Sequence, residues 1–339
     1  MIMKNLNSKL KPTFEVVGIG NAIVDVVAKV DESFLEKRNL TKGSMTLIND
    51  DQSIELYKSI KVEKESSGGS AANTLAGIAQ LGANVGFIGR VKDDNLGKTF
   101  TEDLRSSGAN FQTPPQINGA STARCMIFVT PDAQRTMCTF LGTSVDLEPK
   151  DLDLSMVANT SVLYLEGYLW DNISAKDAFI TASKLCKNSG GKVALSLSDS
   201  FCVKRHQESF IDLVENHVDI LFANEDEIKS LYTRKDFNEI LVYLQKKCKV
   251  SAITLGESGS IIITEKETFN IKSYKFGPTI DTTGAGDLYA GGFLYGYTTG
   301  KSISHCGHIG SICAGHIVTQ LGSRSNISLK QLINENITD

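Results

Sequence analysis

The period of the apolar positions changes along this chain, and each change predicts an element. Phe14–Val30 (FEVVGIGNAIVDVVAKV) is rich in Val and Ile around a GxGN turn, which predicts a strand, a turn and a second strand. Across Ser66–Gly82 the spacing becomes helical: Ala72, Leu75, Ala76 and Ala79 share a face, and Gly82 is a natural stop. Gly86–Phe100 reads as strand, acidic loop and helix, and Gln112–Pro115 as a loop. Thr122–Gly142 predicts two strands joined by a Pro-Asp turn. With strands near 21–30 and 45–49, this hairpin predicts a small sheet apart from the main body, a lid. From Val162 onward, strands Val162–Glu166, Lys192–Leu197, Ile220–Ala223 and Ser251–Leu255 alternate with helical segments, and Ser260–Thr264 follows after only a turn. Such alternation predicts a mostly parallel sheet covered by helices. Leu288–Thr298 reads as a buried helix closed by Gly300.

Composition narrows the class. The length of 339 residues suits two domains, or one large α/β domain with an insertion. A hydrophobic fraction of 41% with 22% charged residues is ordinary for a soluble protein with a sizeable core. The net charge is −4 and no segment is strongly basic, which argues against a nucleic-acid partner. Seven scattered cysteines without a CxxC read as reduced, buried thiols of a cytoplasmic protein. No apolar run reaches the ~18 residues of a membrane span, and the N-terminus lacks the apolar stretch of a secretory signal. Residues 1–12 and 331–339 are expected to be tails, with one domain over 13–330 and a discontinuous lid at about 21–50 and 112–145.

The candidate chemistry centres on Thr279–Gly300 (TIDTTGAGDLYAGGFLYGYTTG). Small residues at Gly284, Ala285 and Gly286 leave backbone amides bare at a helix N-terminus, and the helix dipole adds positive potential there. Asp287, in the first turn beside that anion site, is placed to act as a general base on an attacking hydroxyl. A strand-to-helix turn with an acidic cap has the same local pattern. Gly68-Gly69 mark a second Gly-rich helix start, with Asn73 about one turn in, and a merely flexible start fits them too. Asn21 and Asp25 are polar among apolar neighbours, facing either a pocket or an Asx turn with one acid in solvent.

Arg135, just after the hairpin turn, is the charged residue to aim at a phosphate, unless it is simply exposed. Asn224 and Glu227 have the spacing of a capping box, and equally of residues that hold hydrated Mg²⁺ near phosphates. Thr254–Gly259 is a tight Gly turn after a strand, suited to a nucleotide crossing the backbone. Gly18 and Gly20 lack the third glycine and following helix of a dinucleotide fingerprint. His305, Cys306, His308, Cys313 and His316 look like metal ligands, but 305 and 316 lie about 16 Å apart on a helix, too far to share one ion.

These motifs together resemble the ribokinase-like (PfkB-type) kinases, from about Phe14 to Asn326. DTTGAGD at 281–287 is similar to that family's most specific signature, Gly68-Gly69-x3-Asn73 to its other one, and Asn224-x-x-Glu227 to its Mg²⁺-linked motif. Within the family the adenosine kinases look most similar. The resemblance implies a doubly wound α/β domain with a small β-sheet lid, ATP as donor and Mg²⁺ on its phosphates. It implies ribose-hydroxyl contacts from Asn21, Asp25, Gly68, Gly69 and Asn73, and adenine stacking by Phe201. It places nucleotide contacts at Asn224, Thr254, Gly256, Gly259 and Ser311, with a monovalent cation (K⁺) near Asp281 and Thr283. The chain departs from adenosine kinases at Asp199 and Ser200, where they have Ala-Pro, which bears on base specificity more than on the chemistry.

The expected activity is ATP-dependent phosphorylation of the 5′-hydroxyl of adenosine or a related nucleoside by a monomer or homodimer. A free-sugar kinase on the same scaffold and a non-catalytic binding relative are the rival readings.

Overall fold

The structure, a computed structural model, describes residues 12–132 and 134–337. The tail expected over residues 1–12 lies outside the described residues except for Pro12. The strands, in chain order, are β1 (Phe14–Ile19), β2 (Ile23–Lys29), β3 (Met45–Leu47), β4 (Lys64–Gly68), β5 (Val85–Ile88), β6 (Ala109–Phe111), β7 (Ala123–Val129), β8 (Arg135–Phe140), β9 (Thr160–Glu166), β10 (Lys192–Ser196), β11 (Ile220–Asn224), β12 (Val250–Thr254), β13 (Ser260–Thr264) and β14 (Thr268–Ile271).

Nine of them form the main sheet in the order β14-β13-β12-β11-β10-β9-β1-β5-β6. It is parallel from β6 to β12, and β13 and β14 close one edge antiparallel. The parallel strands are apolar on both faces because helices cover both. Val16, Tyr164 and Phe222 enter one core with Leu75, Phe87 and Phe293; their neighbours Val17, Leu163 and Leu165 enter the other with Trp170, Phe179 and Phe210. This alternation is the period-2 pleat seen from its two sides.

From β1 the chain builds outward in one direction through β5 and β6, and in the other through β10 to β14, with β9 beside β1. A crevice opens where strand order reverses, outside the carboxyl ends of β1 and β9. Asn21 follows β1, and Glu166 ends β9, so both arrive at that crevice.

The second sheet, β3-β8-β7-β2-β4, is the expected separate small sheet. β7 and β8 are the expected hairpin, and β2 joins parallel to β7 with Asp25 opposite Cys125. β4 (KESSG) has no apolar period of its own. It forms by pairing with β2, from Ile23↔Gly68 to Val27↔Lys64, and feeds directly into the helix Ser70–Gln80.

The C-terminus corrects one expectation. Residues 331–336 belong to a helix, Leu329–Asn336, with Leu329, Leu332 and Ile333 buried and Ser328 capping it. Apolar residues at i, i+3 and i+4 seat it on the body. All seven cysteines are free and buried. No described helix is long and apolar enough to cross a membrane.

Candidate active site

The helix expected from Leu288 begins three residues earlier and runs Ala285–Thr298. Gly284 caps it in the left-handed region, φ 79°, and a Cβ there would meet the Cβ of Ser323 at 2.6 Å. Only glycine fits that bend. Of the three amides expected to be bare, that of Ala285 is used: it donates to the Thr282 carbonyl at 3.2 Å. The turn that produces the left-handed bend claims this donor. Gly286 faces open space, with nothing within 4 Å of where its Cβ would stand.

Asp287 turns toward a different helix. Its Oδ1 accepts from Ser70 Oγ at 2.6 Å and its Oδ2 from Asn73 Nδ2 at 3.0 Å, both from the start of Ser70–Gln80. Small residues allow the two helices this approach: a Cβ on Gly291 would lie 3.0 Å from the Thr74 carbonyl. Burial raises the Asp287 pKa, opposed by these two hydrogen bonds and by Arg324. Asn73 is 5% exposed, and its Oδ1 has no partner.

Asp25 packs on Gly68, where a Cβ would lie 2.5 Å from its carboxylate oxygens. Gly69 has φ 91°, and a side chain there would collide with the Asn21 carbonyl. Both glycines are therefore close-approach positions rather than flexible ones. Burial pushes the Asp25 pKa up to about 6, against the pull of Arg324 and Arg135.

Asn21 does not keep its side chain free for a ribose hydroxyl, as the resemblance implied. Its side-chain amide donates to Glu166 Oε1 at 2.8 Å and accepts from Ser144 Oγ at 2.9 Å. Glu166, 1% exposed, also accepts the amides of Asn21 and Ala71 at 3.1 and 2.8 Å, and burial raises its pKa to about 7. It ties the ends of β1 and β9 to the helix that holds Asp287. Glu166 gave no sequence signal beyond being an acid at the end of an apolar strand. Two further residues were also missed. Tyr168, 41% exposed, has its phenol pKa raised by burial and then by the nearby Asp199, Asp287, Glu166 and Glu227 carboxylates. Arg324 bonds Ala72 O, Ser67 O and Ser67 Oγ at 3.1, 3.1 and 3.0 Å.

On the other side of Asp287 lies a cavity of about 480 Å³. Thr254, Gly256, Gly259, Ser311, Ala285 and Gly286 all line it, so four of the five residues expected around a nucleotide come together, while Asn224 does not line it. Its size is in the range of small-ligand sites. A larger hollow of about 760 Å³ lies on the lid, between Lys29, Phe34, Lys61 and Pro131, away from this chemistry.

Asn224 and Glu227 do form a capping box. Glu227 accepts the Asn224 amide and side chain at 2.9 and 2.8 Å, and burial lifts its pKa to about 7. Arg135 is neither exposed nor free. Its Nη1 lies 2.6 Å from Asp281 Oδ2, bridging the lid to the glycine turn. Asp281 also accepts the amides of Thr283 and Gly322 at 3.0 and 2.8 Å, so its carboxylate is filled by three donors where a monovalent cation was expected. Phe201 stands 68% exposed, its ring 5.6 Å from the Lys204 ammonium, because Asp199 caps a short surface helix here. His308 bonds Tyr274 and His316 bonds Ser325, and no group of metal-ligating residues occurs among the described residues.

A buried acid at a Gly-rich helix start, between a nucleotide-sized cavity and a polar crevice under a lid, defines a phosphotransferase site on a ribokinase-like α/β fold. The chain belongs to the pfkB family of carbohydrate kinases, whose family model matches residues 15–330. It is thus a kinase of the sugar and nucleoside class, transferring phosphate to a hydroxyl. An adenosine kinase from Sinorhizobium meliloti is 45% identical, with a TM-score of 0.87 over 96% of this chain and 99% of that one. A probable sugar kinase protein from Rhizobium etli CFN 42 is 42% identical, with a TM-score of 0.88 over the same shares. A 5-dehydro-2-deoxygluconokinase of Listeria innocua is 25% identical over 94% of each chain.

Proposed function

We propose that the protein phosphorylates the 5′-hydroxyl of adenosine or a closely related nucleoside with ATP. One observation carries the reading: Asp287, fixed by Ser70 and Asn73, follows Gly286 of the cavity wall, and its charge acts on Asp25 and Tyr168 of the crevice. The acceptor hydroxyl gives its proton to Asp287 as it attacks. The Gly286 amide and the helix dipole stabilise negative charge on the transferred group. Arg135 reaches the phosphates from the lid by exchanging its Asp281 partner. Asp25 and Asn73 accept hydrogen bonds from the ribose hydroxyls, and Asn21 acts behind them by holding Glu166.

The cavity fits ATP by its size and by the open space over Gly286. The chain has no three-ligand acidic cluster among the described residues, so Mg²⁺ would be held chiefly by phosphate and water, with Glu227 in the outer shell. Bound there, it offsets charge on the triphosphate.

The 45% identity to a protein described as an adenosine kinase supports the nucleoside, and Tyr168 offers the aromatic face for its base. The exposed Phe201 favours the second reading, a free-sugar kinase, since the stacking ring expected there stands open to solvent. ADP release across adenosine, other nucleosides, ribose and fructose decides between them. Adenosine is expected to exceed ribose in kcat/KM by at least ~10-fold, the scale of one stacked base. Equal or better turnover of ribose or fructose overturns the nucleoside assignment.

A further inference from the structure

Four carboxylates converge on the seven residues Ser67–Asn73. Asp103 accepts the Ser67 amide and hydroxyl at 2.7 and 2.6 Å. Asp25 packs against Gly68. Glu166 accepts the Ala71 amide at 2.8 Å, and Asp287 is held by Ser70 and Asn73. Arg324 is the cation bonded to this segment, its terminal nitrogens donating to Ser67 and Ala72, and the charges of Arg135 and Lys64 also act on Asp25. The other guanidinium near the site, Arg135, is paired with Asp281. Acid groups outnumber the bonded cations on the acceptor side, with part of them kept protonated by burial.

The unfilled hydrogen-bonding capacity points the same way. Asn73 Oδ1, beside Asp287, is an acceptor without a partner on a side chain only 5% exposed. Its orientation is fixed, because Nδ2 must face the carboxylate. The unpaired buried donors nearby are the Nε atoms of Arg135 and Arg324, whose guanidinium groups are already engaged by protein oxygens. Next to the catalytic acid, a ligand therefore meets acceptors. A hydroxyl can donate to them; an ionised carboxylate cannot, and the surrounding charge repels it.

We infer that the acceptor site selects uncharged polyhydroxy compounds and excludes sugar acids. This rests on the assignment of Asp287 to the acceptor side in the proposed function, but not on the acceptor being a nucleoside.

Isosteric pairs that differ only in charge test it on the full chain. Competitive inhibition constants are measured for adenosine-5′-carboxamide against adenosine-5′-carboxylate, and for D-ribonamide against D-ribonate. The amide of each binding pair is expected to bind at least ~100-fold more tightly, and Asp25→Asn is expected to narrow that ratio. A carboxylate binding within threefold of its amide overturns the inference while leaving the kinase assignment intact. If only the ribose pair binds and keeps its gap, the nucleoside reading fails and the inference stands.

Discussion

Gly284 and Gly286 stand two residues apart, yet alanine at each is expected to act in opposite directions. Gly286→Ala adds a methyl group where no atom lies within 4 Å, in the first turn of a helix. Alanine in place of helical glycine contributes about 0.5–1 kcal/mol. An unfolding entropy of ~2.1 cal/mol/K per residue over 339 residues gives ~0.7 kcal/mol/K, so Tm should rise by about 1 °C. The same methyl stands in the path of a phosphate oxygen that must come within ~3 Å of the amide, and ADP affinity should fall by ~10- to 100-fold. Gly284→Ala has no such room. Left-handed φ costs about 1–2 kcal/mol for a residue with a Cβ, and the 2.6 Å contact with Ser323 adds to it. Its Tm should fall by at least ~2 °C. Differential scanning calorimetry and titration of ADP read both variants. A Gly286→Ala protein that is slightly more stable and binds ADP like wild type would refute the anion-site argument.

Three further outcomes follow from the geometry. Arg135→Gln leaves Asp281 its two amide donors, so the fold should hold while kcat drops ~10²-fold or more, measured at saturating ATP and acceptor. Glu227→Gln gives up one capping acceptor, costing ~1 kcal/mol in Tm measurements, and should raise the Mg²⁺ concentration for half-maximal rate. Stability and activity should respond to pH in opposite senses. Glu166 and Asp25 have folded pKa values raised to about 7 and about 6, above their unfolded values near 4, so the folded protein keeps protons that the unfolded chain has lost. Their stabilising contribution is present below pH ~4 and fades by pH ~7, with Glu166 alone worth on the order of 3 kcal/mol. Tm should fall from pH 5 to 8 as Glu166 and Asp25 ionise, and kcat/KM should rise with pH as Asp287 loses its proton; a Tm that climbs across this window contradicts the buried-acid assignment.

The alternation of apolar strands and helices made the centre of the main sheet legible, with Ser260–Thr264 matching in full and the other four predicted C-terminal strands to within one or two residues, while the short edge strands β6 and β14 were missed. β4 was not legible, because Lys64–Gly68 carries no apolar period and exists only by pairing with β2. The helix at Leu329–Asn336 was misread as a tail, although Leu329, Leu332 and Ile333 have helical spacing, because eight residues give a short signal. At the site, the glycine clusters marked the two helix starts, and the structure adds that Gly68, Gly69 and Gly284 are close-approach positions. Polar residues were harder, since sequence shows what a side chain is and not which way it turns. Asn21 and Asp281 are polar and buried, but both spend their groups on the protein itself. Arg324 and Tyr168 lie in segments with no motif and reach the site only through the folded crevice.

The central claim is that Asp287 removes the acceptor proton. Asp287→Asn keeps the size of the side chain and can retain hydrogen bonds to Ser70 and Asn73, so binding should change little. The direct measurement is the single-turnover rate of adenosine phosphorylation by this variant at saturating MgATP. A fall of ~10²–10⁴ with nucleoside affinity within threefold of wild type is predicted. A rate within tenfold of wild type would contradict the account.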